Sequence, residues 1–180
     1  MSDDQPLQHV VLIGFMGTGK STVSKRLAEH LGCAACDVDA EIVKREREEI
    51  ASIFASRGEE AFRAAETAAL DAVLGAQDKL VIATGGGAVL SSVNRELMLR
   101  KGYVVALTAH PERVIARVSQ DPDRPLLQGG VRERVYKLLE DRKHAYDFAH
   151  LTIDTTDLTV DEIVNRIAEA AARNGQHSNS

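Results

Sequence analysis

The sequence predicts an α/β fold: a five-stranded parallel sheet with helices on both faces. Three observations point there. Five short apolar runs are spread along the 180 residues, segments of helical periodicity separate them, and the first run ends in a glycine-rich turn that opens into a helix. Strands covered on both faces read as continuous apolar runs, because neither face meets water.

The runs fall at residues 10–13, 34–36, 80–83, 103–107 and 151–153. After the first comes a helix over 21–31, with Val23, Leu27 and Leu31 on one stripe and Gly32 as its stop. A second helix over 59–74 carries Phe62, Ala65, Ala69 and Val73. The last, over about 160–172, places Ile163, Ile167 and Ala171 on one face. Between the second and third strands the pattern gives two or three helical segments where one crossover helix would do. This predicts a helical cap above the sheet over about 38–74. Residues 119–131 hold Asp121, Pro122, Asp123, Arg124, Pro125, Gly129 and Gly130, the turn chemistry expected of a lid. The ends, 1–8 and 173–180, are expected to be disordered, and the whole reads as one domain.

Composition narrows the function. A net charge of −5 argues against a nucleic-acid partner. No apolar run is long enough to span a membrane, and Met1-Ser2-Asp3-Asp4-Gln5-Pro6 lacks the basic and apolar regions of a signal segment. A cytoplasmic monomer is expected. Cys33 and Cys36 form a C-x-x-C, but Cys33 follows a helix end rather than opening a helix, where the dipole would activate it. Two buried structural thiols are expected. The six histidines show no metal-ligand spacing.

The chemistry begins at Gly14-Phe15-Met16-Gly17-Thr18-Gly19-Lys20-Ser21-Thr22. Between a strand and a helix, these glycines let backbone N–H groups turn inward on a polyphosphate. Lys20 brings a point charge to the β- and γ-phosphates, and the Ser21 hydroxyl suits Mg²⁺. The helix that follows presents its positive dipole end to the same anion. Gly17, Thr18, Gly19, Lys20, Ser21 and Thr22 are therefore candidate nucleotide ligands.

Asp37-Val38-Asp39 closes the second run. Strand alternation predicts that both carboxylates face one site at the carboxyl edge of the sheet, although acids also end strands simply to meet solvent. The third run is followed by Thr84-Gly85-Gly86-Gly87 without an acid, so Asp37 becomes the candidate metal ligand beside Ser21. The three glycines allow a small substrate to approach the backbone. Arg63 and Glu66 share a helix face, so the carboxylate can fix the guanidinium, though a plain surface pair has the same spacing. Arg124 in the lid suits charge stabilisation on a transferred phosphoryl group. Arg142, in Asp141-Arg142-Lys143-His144-Ala145-Tyr146 on the next helix, suits a bidentate grip on a carboxylate.

Taken together, Gly14-x-x-Gly17-x-Gly19-Lys20-Ser21, Asp37-x-Asp39, Phe62-Arg63-x-x-Glu66, Gly85-Gly86-Gly87 and Arg124-Pro125-Leu126-Leu127 resemble the shikimate kinase family in order and spacing, over roughly residues 9–170. The resemblance implies a P-loop NTPase fold of the nucleoside monophosphate kinase type. It implies transfer of the γ-phosphoryl of ATP to the 3-hydroxyl of shikimate, with Mg²⁺, in aromatic amino-acid biosynthesis. It implies that Asp39 binds the reacting hydroxyls, that Arg63 and Arg142 grip the substrate carboxylate, and that Gly85, Gly86 and Gly87 lie against the substrate. Lys20 and Arg124 would act on the phosphates, Arg117 would flank the adenine, and Ser21 and Asp37 would serve the metal. The proline that usually follows the second carboxylate arginine is absent at His144, and no adenine contact carries over to Asp154-Thr155-Thr156-Asp157. A gluconate kinase-like enzyme and a non-catalytic nucleotide-binding module are the alternatives.

Overall fold

β1 (His9–Gly14) is buried along its whole length and sits at the centre of the sheet. The computed structural model describes residues 9–120 and 130–177. Among these, β2 (Ala34–Asp37), β3 (Leu80–Ala83), β4 (Gly102–Thr108) and β5 (Leu151–Asp154) complete a sheet in the order β2-β3-β1-β4-β5, parallel throughout. β1 pairs with β4 from His9–Gly102 to Gly14–Leu107, and with β3 from Val10–Val81 to Leu12–Ala83. The five apolar runs are the five strands, each within one residue of its expected bounds.

Alternation along β1 sorts the core into two layers. Val11 and Ile13 face α2 (Val38–Glu46), α3 (Ile50–Leu74) and α4 (Ser92–Lys101). Val10 and Leu12 face α1 (Lys20–Leu31) and α7 (Val160–His177). A smaller cluster of Phe15, Val114, Val118 and Val135 joins the phosphate-loop segment to α5 (Pro111–Val118) and α6 (Val131–Asp141) at the carboxyl edge. The chain leaves β1 toward β2 on one side and reaches β4 on the other. The crevice at the carboxyl end of β1 is therefore the switch point where open α/β sheets bind ligands.

α2 and α3 form the helical insertion. α3 is broken at Gly58, whose φ of 86° and ψ of 172° lie outside the helical region, so the insertion contains three helical pieces. Phe54 and Phe62 pack across the break as a tilted pair with ring centroids 4.5 Å apart.

Two expectations are corrected. α7 continues to His177, so residues 173–177 are helical rather than a disordered tail. Cys33 and Cys36 are half-buried free thiols rather than fully buried ones. Cys33 packs on the α1 and α7 side of the sheet and Cys36 on the α3 side, because three steps along an extended chain reverse the side-chain direction. The N-terminal segment 1–8, the residues 121–129 of the expected lid and residues 178–180 lie outside the described residues.

Candidate active site

The loop between β1 and α1 wraps its own carbonyls around Lys20. The Lys20 Nζ donates to the carbonyl oxygens of Gly14 at 2.7 Å and Phe15 at 2.9 Å, and the Thr18 hydroxyl donates to Phe15 O at 2.8 Å. Gly17 and Gly19 take φ values of 75° and 92°, in the left-handed region that favours glycine. Gly19 caps α1 without a side-chain acceptor, so the first-turn N–H groups face the crevice with no internal carboxylate or hydroxyl competing for them. Gly17 to Thr22 line a cleft of about 490 Å³ that also reaches Asp37, Asp39, Gly85, Gly86 and Arg117. Arg117 donates to the Gly17 carbonyl at 2.8 Å, which ties the end of α5 to the loop.

The acidic pair is arranged differently from the strand reading. β2 ends at Asp37, and Asp39 belongs to the first turn of α2. Asp37 is the N-cap of that helix: its Oδ1 accepts from the N–H groups of Asp39 at 2.9 Å and Ala40 at 3.3 Å. Its Oδ2 accepts from the Ser21 hydroxyl at 3.3 Å. Asp39 reaches the same cleft from the helix, so convergence arises from a cap and a helical turn, not from strand alternation. The sequence carries the signal for this, because aspartate before a helical pattern reads as an N-cap.

The triple glycine sits where four charged side chains converge. A Cβ on Gly85 would lie 2.9 Å from Asp39 Oδ1 and 3.4 Å from Glu66 Oε2. On Gly86 it would lie 3.5 Å from Arg142 Nη1 and 3.5 Å from the Met16 amide nitrogen of the phosphate loop. On Gly87 it would lie 2.5 Å from Arg63 Nη2. The missing side chains thus make room for charged protein groups. Asp39, Arg142 and Arg63 are brought to one loop, beside the phosphate cradle.

Arg63 is held from below. Its Nη1 donates to Glu66 Oε1 at 2.9 Å, and Glu59 lies 3.8 Å from its Nε. Glu66 is only 1% exposed. Burial pushes its carboxyl above the usual carboxylate range, the guanidinium of Arg63 opposes that rise, and the charge of Asp39 adds to it. Arg142 is the C-cap of α6 rather than a residue within it, and its guanidinium lies over the Phe15 ring, 5.8 Å from the centroid. A series of turns follows, and the Tyr146 hydroxyl donates to Gly86 O at 2.9 Å. Tyr146 thereby anchors the segment whose usual proline is missing. Arg124 lies outside the described residues.

Tyr146 escaped the sequence reading, as did Thr155 and Leu158, which line the cleft beyond β5. Nothing in the spacing of Thr155 and Leu158 marks them: the folding of the β5–α7 turn against α1 brings them in. Among the described residues no helix is long and apolar enough to cross a membrane, and no cluster of three histidine, cysteine or acidic side chains could hold a metal.

Comparison with known proteins gives the family. The shikimate kinase family model matches residues 16–172. A shikimate kinase of Geobacter metallireducens is 44% identical over 168 residues, 93% of each chain. One from Geobacter sulfurreducens is 45% identical over 89% of each. Among solved structures, shikimate kinase from Acinetobacter baumannii in complex with shikimate aligns with a TM-score of 0.87 at 36% identity, covering 93% of this chain and 94% of that one. A gluconokinase from Sinorhizobium meliloti aligns at 0.64 with 17% identity, a likeness of fold alone. The phosphate loop at the switch point, the helical insertion between β2 and β3 and the match along nearly the whole chain agree: this chain belongs to the shikimate kinase family.

Proposed function

We propose that this chain transfers the γ-phosphoryl group of ATP to the 3-hydroxyl of shikimate, giving shikimate 3-phosphate and ADP in the biosynthesis of aromatic amino acids. One observation carries the reading. A single glycine loop abuts an aspartate and two arginines from three separate elements, next to a phosphate cradle. An acid for a hydroxyl and two guanidiniums for a carboxylate match a carboxylated ring alcohol; gluconate is a carboxylate too, and the family match along nearly the whole chain favours shikimate over it.

ATP would place its phosphates on the N–H groups of Gly17 to Thr22 and on Lys20, with the adenine end between Arg117 and the turn carrying Leu158. The hydroxyl of Ser21 and the carboxylate of Asp37 are hard oxygen donors that converge at the mouth of α1, and they fit Mg²⁺ completed by water and phosphate oxygens. When bound, the metal neutralises charge on the phosphates. Arg63 and Arg142 hold the acceptor carboxylate, and Arg124 is assigned to the transferred group. Asp39 aligns the acceptor hydroxyl. A carboxylate is a weak base toward an alcohol, so Asp39 accepts the proton late, once the bond to phosphorus is forming. Positioning and charge stabilisation supply the catalysis. A monomer acting in the cytoplasm fits this reading.

The test is ADP release with Mg²⁺ and ATP, shikimate and gluconate being offered side by side, in the wild-type chain and in Asp39→Asn. Turnover with shikimate alone is expected, falling by about 10²–10⁴-fold in the variant while ATP binding survives. Preference for gluconate, or near-normal turnover of Asp39→Asn, overturns the assignment.

A further inference from the structure

Asn94 is fully buried on α4, outside the lining of the phosphate-loop cleft, and every polar atom of its side chain is engaged. Its Oδ1 accepts from the Thr67 hydroxyl at 2.8 Å, and its Nδ2 donates to the Ala88 carbonyl at 2.9 Å. The orientation of the amide is fixed chemically. A flipped amide would set its oxygen against the Ala88 carbonyl, two acceptors face to face. Its backbone N–H is held in turn by Ser91 Oγ at 3.3 Å.

The two partners of Asn94 belong to the two halves of the acceptor pocket. Thr67 follows Glu66 on α3 and stands about one helical turn beyond Arg63. Ala88 follows the glycine loop, and its own N–H donates to Gly85 O at 3.1 Å. The peptide units at the end of the loop are therefore clamped from both sides, by Gly85 and by Asn94. Arg63 and Gly87 already touch, so a slide of α3 along the loop by a fraction of an ångström moves the guanidinium relative to Asp39 and Arg142. Apolar packing between α3, α4 and the 3-10 turn at Ala88–Leu90 holds these elements together, but it is non-directional and leaves such a slide soft. A buried, doubly engaged amide is directional.

We propose that Asn94, acting through Thr67 and Ala88, is a positioning residue that sets the spacing between Arg63 and the glycine loop, and so the grip on the acceptor carboxylate. The proposal rests on shikimate being the acceptor.

Thr67→Val keeps the shape of the threonine and deletes the hydroxyl, and Thr67→Ser restores it, so the pair isolates the hydrogen bond from folding. Steady-state kinetics with shikimate and ATP varied separately are expected to show a roughly ten-fold loss of kcat/KM for shikimate in Thr67→Val, with KM for ATP unchanged, and recovery in Thr67→Ser. A second readout needs no substrate. The amide resonances of Gly85, Gly86 and Gly87 in a ¹⁵N-labelled chain should shift in Thr67→Val and return in Thr67→Ser. Unmoved glycine resonances overturn the proposal, as does a Thr67→Val variant whose two KM values change together. A wild-type chain inert toward shikimate sinks the acceptor assignment alone, because the resonances still report whether the clamp sets the loop.

Discussion

Replacing Glu66 by Gln separates what this carboxylate does for the site from what it does for the fold. The side chain is 1% exposed and 2.9 Å from Arg63, whose own side chain is 28% exposed. Glutamine retains an oxygen for Arg63 but exchanges an ion pair for a hydrogen bond in which only the donor is ionised. Losing the carboxylate's charge weakens the hold on the guanidinium by about 1 kcal/mol, roughly a five-fold rise in KM for shikimate. Stability moves the other way. Burial raises the folded-state pKa of Glu66, so the native chain binds this proton more tightly than the unfolded chain does. The wild type therefore loses stability as pH rises from the unfolded pKa through the folded one, and Glu66→Gln is spared that loss. Steady-state kinetics at saturating ATP, with urea unfolding at about pH 4 and about pH 7, measure both effects. The variant should gain on the wild type in unfolding midpoint toward the higher pH while its acceptor KM is worse. A variant that unfolds more readily at neutral pH yet keeps the wild-type KM would refute the reasoning, making the pair a stability device only.

Gly58→Ala tests the break in α3. Nothing lies within 4 Å of an added Cβ, so any effect comes from the backbone conformation, which only glycine adopts readily. A cost of about 1–3 kcal/mol is expected, seen as a lowered Tm, together with a raised KM for shikimate and unchanged nucleotide binding by calorimetric titration. An unshifted Tm would mean that the break is soft. His9 predicts an acid limit to stability. Its Nε2 donates to Leu74 O and its Nδ1 accepts from the Leu80 N–H, both at 3.1 Å, which requires the neutral ring. Burial holds its pKa below the usual histidine value, so the unfolded chain is protonated first and stability falls as pH drops below about 6.5. Denaturation midpoints across that range should fall less steeply in His9→Gln than in the wild type; parallel curves would assign the acid limit to other groups.

The three central strands were legible because burial on both faces leaves an unbroken apolar run, the strongest pattern a short segment can carry. Leu80–Ala83 is the clearest case. The phosphate loop was legible because its chemistry lies in consecutive residues. What stayed hidden was tertiary. The sequence shows Asp37 and Asp39 two apart but does not say that the chain changes from strand to helix between them, and alternation was the wrong rule to apply. It places three glycines together without saying which side chain each admits. Tyr146 and Asn94 are ordinary in sequence, since their importance lies in groups they meet only after folding, the Gly86 carbonyl for one and the Thr67 hydroxyl for the other. The extension of α7 past the expected end was missed because its last turns are polar and exposed, where the apolar stripe gives no signal.

The two thiols of β2 and its approach are spaced like a redox couple and face away from each other across the sheet. An oxidant has no intramolecular bridge to make here without peeling an edge strand from its neighbour, so the motif alone would mislead anyone scanning genomes for dithiol switches. The same geometry offers a practical handle. Single-cysteine versions of the chain would carry a fluorophore on either flank, one dye reporting on the helical insertion and the other on the opposite helical layer.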